Sequence, residues 1–257
     1  MTTQKASEVN VPFDISRRQA MGVLGAISAL GVTGFINCAG SSATATGNSL
    51  TSLAAVRSSS TTRSILIPSE TLATFPLSTI LTNSAFLREE IHENKVGVPL
   101  TVKVKLVNVN DNDTPLSGYV YIWHCDSDGL YSGHDTQDNP GHSYCRGLQS
   151  TDTNGQVSFN TIYPGWDEKR IPHINFQLFL TAPSDSTSLS AVSQMAFPAE
   201  INASISTSSL YSKCQNTTDA SFYADNVFSE GITYQLATVT GNLEDGYIAE
   251  LELGLAV

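Results

Sequence analysis

Positive charge is scarce in this chain: 13 Lys and Arg stand against 24 Asp and Glu, a formal net charge of -11 over 257 residues. An acidic surface of that kind repels phosphates and excludes nucleic acid and anionic membrane faces as natural partners. Charge of either sign is sparse, at 14% of residues against 40% hydrophobic, so the chain can build a sizeable core. The sequence has no apolar run of the ~20 residues that a membrane-spanning helix needs. The candidate stretch, Met21 to Ile36, is shorter than that and rich in Gly, Ala and Ser. A G-x-S-x-G elbow for a nucleophilic serine is missing, as are a phosphate-cradling glycine loop and any internal repeat.

What is present begins at the N-terminus. Ser16-Arg17-Arg18-Gln19 ahead of the uncharged stretch looks like a twin-arginine export signal, so residues 1–38 are read as that signal. The protein is then expected outside the cytoplasm, in a periplasm, at a cell surface or extracellular. Asn37 stands where lipidation would call for a small residue just before Cys38, and a lipid anchor at Cys38 is not favoured. Residues 39–68, with SSATATGNS and RSSSTTRS, are too polar and low in complexity to pack and read as a linker. Residues 69–257 form the folded domain. It keeps Cys125, Cys145 and Cys214, for which an oxidising compartment predicts one disulfide of unspecified pairing plus one free thiol. The competing reading makes all three ordinary buried small side chains.

Within the domain, Leu100-Thr-Val-Lys-Val-Lys-Leu alternates apolar and polar side chains with period two, the pattern of a half-buried strand. Tyr119 to Trp123 is continuously aromatic or β-branched, as a strand covered on both faces would be. Further strands are predicted at Gln156 to Ile162, Ile174 to Leu180, Tyr234 to Val239 and Tyr247 to Val257. Short helices are predicted around Asn83 to Glu90 and Ser221 to Phe228. Many short strands joined by Gly, Pro and Asn turns indicate an all-β fold, an antiparallel β-sandwich with short peripheral helices.

Several segments then align, in order, with one family. SETLATFPLS resembles the ETxGPFP segment of intradiol ring-cleavage dioxygenases, and GVPLTVKVKLV their first core strand. PLSGYVYIWHCDSDGLYSG is similar to the strand and loop bearing their first tyrosinate. YCRGLQSTDTNGQVSFNTIYPGW follows the RG-x-x-x-TD-x-x-G-x-x-x-F-x-TI-x-PG run, and RIPHIN and VSQMAF match R-x-x-HIH and TQ-M-x-F. The resemblance implies a non-haem Fe(III) held by two tyrosinates and two imidazoles, with a small aromatic diol and O2 as substrates and a muconate-type diacid as product. Hard anionic oxygen ligands suit Fe(III). By the same resemblance Tyr131 is the first tyrosinate, His173 the first imidazole, Arg170 the group that stabilises the anion developing on the substrate, and Gln194 its neighbour in the pocket.

Two ligand positions depart from the pattern. Asp167 stands where the second tyrosinate is expected, and Asn175 where the second imidazole is expected. Residues two apart on a strand share a face, so Asn175 is expected to project with His173 toward the site, as a weak neutral ligand. Three readings stay open on these residues. Tyr131, Asp167, His173 and Asn175 hold iron weakly and support an altered ring cleavage. Or His124, His134, His142 or Asp135 rebuilds a different metal site, although a solvated polar loop is the simpler account of Gly133 to His142. Or the iron is lost and the domain is an exported binding or structural module. His124 is expected to have a structural hydrogen-bonding role, Tyr163 to be a packed aromatic, Trp123 to fill the core and Trp166 to wall the cleft.

Overall fold

The computed structural model describes residues 75–134, 141–167, 170–184, 188–214, 221–222, 224–229 and 231–257. All of them lie in one compact unit, Ser58–Val257. The residues read as export signal and linker, 1–68, therefore fall wholly outside the described residues, as do 69–74.

Two sheets form the expected sandwich. In the first, β1 (Pro99–Asn108) is central. It pairs antiparallel with β5 (Gln156–Ile162) and with the two-residue β2 (Thr114–Pro115), and on its other side with β9 (Gly246–Leu255), beyond which lies β8 (Thr238–Asn242). The β1 and β9 pairing is parallel, with Val102 opposite Ala249, so this sheet of the otherwise antiparallel sandwich is mixed. The second sheet runs β4 (Arg146–Ser150), β3 (Tyr119–Trp123), β6 (His173–Phe179), β7 (Leu189–Ala196), all antiparallel.

The period-two pattern of β1 explains which face goes inside: Val102, Val104 and Leu106 are buried while Lys103 and Lys105 point outward and pair with Glu250 and Glu252 of β9. The inward side chains meet Val120, Ile122, Ile174, Phe176 and Leu178 of the second sheet in one core. A fully buried Phe176 contributes roughly 2–3 kcal/mol over an exposed one, and Phe176→Ala would cost about 3–5 kcal/mol because the cavity collapses only in part.

The helices differ from expectation. Ser84–Phe86 makes a single 3-10 turn capped by the Asn83 side chain, and the described residues between Ser221 and Ser229 are turns. The α-helix found among the described residues, α1 (Ala199–Ser206), starts after Pro198, whose fixed φ suits a helix start, and has Glu200 in its first turn. Strand β8 begins four residues later than the predicted Tyr234 start, because residues 233–235 form a turn and Leu236 bridges to Ala196 instead. No helix among the described residues is long and apolar enough to cross a membrane.

Candidate functional site

Because Ile174, Phe176 and Leu178 point into the sandwich core, His173, Asn175, Gln177 and Phe179 point to the outer face of the second sheet. That face is not solvated: every residue of β6 is buried. It is covered by a second apolar cluster that includes Tyr121, Trp123, Cys125, Tyr131 and Phe179, with Phe75 packed against it. Cross-strand register places Trp123 opposite Asn175 and Asn175 opposite Gln194, so three neighbouring strands deliver these side chains side by side.

Tyr131 comes from the loop after β3, which the sequence shapes locally. The Asp126 carboxylate accepts the backbone N–H groups of Asp128 and Leu130 at 3.0 Å each. Gly129 takes a positive φ of 83°, and a Cβ there would collide with the Trp166 carbonyl. Gly165, in the facing loop, donates its N–H to the Asp126 carbonyl at 3.0 Å, and a Cβ on it would meet that oxygen at 2.8 Å. The two glycines thus let the Tyr131 and Asp167 loops approach. Fully buried Arg146 fixes the residue after Tyr131, donating to the Ser132 hydroxyl and carbonyl at 2.8 Å each.

These elements gather one hydrogen-bonded constellation. Tyr131 Oη lies 3.2 Å from His173 Nε2. His173 Nδ1 donates to the Ile171 carbonyl at 2.8 Å, so its lone pair is on Nε2. Arg170 Nη1 donates to the same Nε2 at 3.1 Å, and Arg170 Nη2 to Gln194 Oε1 at 2.6 Å. Gln194 Nε2 donates to Asn175 Oδ1 at 2.9 Å, and Asn175 Nδ2 faces the Trp123 carbonyl at 3.3 Å and Tyr131 Oη at 3.4 Å. The four residues Tyr131, His173, Asn175 and Gln194 are each at most 1% exposed.

Burial sets the charge states. It lowers the His173 pKa to about 3, with Arg170 acting in the same direction, so the imidazole is neutral and free to accept. Burial also raises the Tyr131 phenol well above its usual value, reinforced by negative charge at Cys125 and Asp167 and opposed by Asn175 and Arg170. A metal at Tyr131 would therefore have to release a tightly held proton. Asp167 is buried and adjoins Arg170 through a backbone bridge, Arg170 N to Asp167 O at 2.7 Å. Its charge weighs on Tyr131.

Other predicted residues have structural positions. His124 has both ring nitrogens engaged, with the Cys125 carbonyl at 2.7 Å and Thr161 Oγ1 at 2.8 Å. Tyr163 donates to Asn202 at 2.8 Å, away from Tyr131. Trp123 packs in the cluster over the site, and Trp166 belongs mainly to the core, edge-on to Tyr211. His134 stacks edge-on to Phe75 at 4.9 Å; Asp135 lies outside the described residues. The predicted disulfide is absent: Cys125, Cys145 and Cys214 are all buried free thiols, with Cys125 bonded to the Gly165 carbonyl and Cys214 to the Ser127 carbonyl.

Three residues of the site were not anticipated. Buried Asp225 grips Arg170 with both oxygens, at 2.9 and 3.1 Å, and Phe228 lies under the same guanidinium at 5.6 Å. Phe75, with a positive φ of 62°, packs its ring 5.0 Å from that of Tyr131. Asp225 lies in the Ser221 to Phe228 stretch read as a short helix, where no motif set it apart, and only its three-dimensional proximity to Arg170 marks it.

Among the described residues no three His, Cys, Asp or Glu side chains gather to hold a metal ion, so a metal here would depend on the Tyr131 oxygen. The donors fit iron in kind: phenolate and carboxylate oxygens with one imidazole suit Fe(III). Asn175, in this arrangement, meets Tyr131 with N–H groups, and its carbonyl is occupied by Gln194.

No curated protein sequence matches this chain. Residues 78–253 match the family described as Dioxygenase. Among solved structures the chain is similar to an intradiol ring-cleavage dioxygenase from Tetranychus urticae, with 24% identity and a TM-score of 0.57 over 66% of this chain and 87% of that one. It is also similar to the dioxygenase domain of a dioxygenase carbohydrate-binding protein fusion from Streptomyces sp. SirexAA-E, with 22% identity and a TM-score of 0.46 over 66% and 88% of the two chains. With the family match covering well over half of its length, the chain belongs to the dioxygenase family, and its fold is that of the intradiol ring-cleavage dioxygenases.

Proposed function

We propose that this protein cleaves the ring of a small aromatic diol with O2, using a ferric ion held by Tyr131, Asp167 and His173. The centre is a weakened form of one with four protein ligands. The observation that carries this reading is the approach of Tyr131 Oη to His173 Nε2, 3.2 Å apart and shielded from water, a spacing suited to adjacent ligands of one ion. A bound ferric ion supplies the Lewis acidity that holds the diol as its dianion and leaves the ring electron-rich enough for O2 to attack.

The chain's own residues do the rest. Tyr131 yields its proton on metal uptake. His173 stays neutral because burial and Arg170 hold its pKa at about 3, and its Nδ1 bond to the Ile171 carbonyl fixes the ring. Arg170, already at the His173 edge, sets a cation beside the anion that develops on the substrate. Phe75 and the apolar cluster around Tyr131 exclude water.

The test is metal content together with the visible spectrum before and after catechol is added. Near-stoichiometric iron, a phenolate-to-iron band and a red shift with catechol are expected, with consumption of O2 and a diacid product. A colourless protein that stays iron-free after reconstitution would overturn the reading and leave a non-catalytic binding module. The expectation of export rests on Ser16-Arg17-Arg18-Gln19; replacing Arg17 and Arg18 by Lys should retain the protein in the cytoplasm on fractionation.

A further inference from the structure

We infer that Asn175 is a positioning residue for Tyr131: it meets the phenol oxygen as an N–H donor, held in that orientation by Asp225, Arg170 and Gln194 on one side and by the Trp123 carbonyl on the other. The inference rests on reading Tyr131 as the metal-facing group, and it gives position 175 a role other than ligation.

The direction follows from which groups can donate. A guanidinium has no acceptor, so Gln194 must turn its oxygen to Arg170 Nη2, at 2.6 Å. Its NH2 is left for Asn175, whose oxygen accepts at 2.9 Å. The Asn175 NH2 then faces the remaining neighbours, the Trp123 carbonyl at 3.3 Å and Tyr131 Oη at 3.4 Å. A backbone carbonyl can only accept, so the Trp123 contact imposes the same orientation from the opposite end. Burial makes the arrangement strict, because Gln194 is 1% and Asn175 0% exposed and neither amide can turn to water instead. Asp225 anchors the chain by taking two N–H groups of Arg170, Nε at 3.1 Å and Nη2 at 2.9 Å, with its own Oδ1 also accepting from Val227 N at 2.9 Å. An N–H aimed at a phenolate oxygen stabilises the anion and reduces its electron donation, so Asn175 orients Tyr131 and tunes it. At 3.4 Å the contact is long, and its effect is correspondingly modest.

Metal-free, 15N-labelled protein tests this first. The Asn175 side-chain NH2 resonances, identified by their loss in Asn175→Asp, should exchange slowly with solvent and should move in Tyr131→Phe. Gln194→Glu cannot donate to Asn175 and should speed that exchange several-fold; Asp225→Asn, if it folds, should do so as well, with slow exchange returning in Asp225→Glu. Resonances that ignore both Tyr131→Phe and Gln194→Glu would overturn the inference. In iron-loaded protein, Asn175→Leu should move the phenolate-to-iron band to longer wavelength, and an unmoved band would also count against it. A parent protein that takes up no iron would defeat the proposed function, while the metal-free measurement would still decide the role of Asn175.

Discussion

Arg170 Nη1 and Tyr131 Oη converge on one atom, His173 Nε2, at 3.1 and 3.2 Å. That nitrogen has a single lone pair, and its partner Nδ1 is committed to the Ile171 carbonyl. A metal bound by His173 must therefore displace the Arg170 contact, while Asp225 and Gln194 keep the guanidinium from leaving the pocket. The cation would then be shifted by a small step to a place beside an anionic substrate.

Tyr131→Phe removes the one phenol oxygen at this convergence. Iron content and any phenolate colour should fall to background, because the described residues provide no other three-donor set to compensate. The lost hydroxyl also removes the contact to His173 Nε2 and the acceptor facing Asn175 Nδ2, so a stability loss of about 1–2 kcal/mol is expected. Metal analysis and a urea titration on the same preparation check both parts. Iron retained at the parent level would show that Tyr131 is not a ligand.

Under the proposed function, Asp167→Tyr combined with Asn175→His would supply the tyrosinate and imidazole expected at those two positions. His173 and Asn175 share the outer face of β6, and the loop bearing Asp167 packs closely against the loop bearing Tyr131 at Gly129 and Gly165. Iron content after identical loading should rise several-fold over the parent. Failure to rise would locate the obstacle in the surrounding relay, since a histidine at 175 has to displace the amide contact of Gln194.

The fold was readable where burial follows a short period. The alternation in β1 and the continuous apolar run of β3 each name their inward face, and the R-x-x-H spacing puts Arg170 just ahead of β6. The parallel β1 and β9 pair was not readable, because its partners lie about 150 positions apart and nothing local specifies their direction. Cysteine counting failed for a similar reason: the number of thiols says nothing about separation, and each one found a carbonyl or packing partner instead of another sulfur. Asp225 and the alignment of Trp123, Asn175 and Gln194 exist only once strands pair, so the ligand types were visible in the sequence but their hydrogen-bond direction was not.

His124 gives a pH dependence with a definite sign. Burial lowers its pKa to about 4, against about 6.5 in the unfolded chain. The folded state resists protonation, so stability is complete above about pH 6.5 and is lost as pH falls toward about 4. Between pH 7 and pH 5 the His124 contribution to that loss is about 2 kcal/mol. His124→Gln should be less stable at pH 7, having lost two good hydrogen bonds, yet should show a flatter decline over the same interval. His173 adds a decline that persists in the variant. Urea midpoints at both pH values measure the difference, and parallel declines in parent and variant would contradict the assignment.

Asp225→Ala leaves the Arg170 guanidinium without its counter-ion in a pocket where the side chains are 14% and 0% exposed. It also removes the acceptor for the Val227 and Phe228 backbone N–H groups, at 2.9 and 3.3 Å. Burial alone would raise the Asp225 pKa, but the hydrogen bonds and charge of Arg170 outweigh it and hold it low, so the carboxylate is ionised in the native state. Breaking a buried pair costs about 3–5 kcal/mol, and the partial exposure of Arg170 places this case near the lower end, about 3 kcal/mol. Replacing both partners, as Arg170→Met with Asp225→Leu, removes the stranded charge and should recover much of that loss. Denaturant unfolding of the parent, Arg170→Met, Asp225→Leu and the double variant closes the cycle. Single losses that simply add in the double variant would mean that Asp225 supports the 225–228 turn alone and has no hold on Arg170.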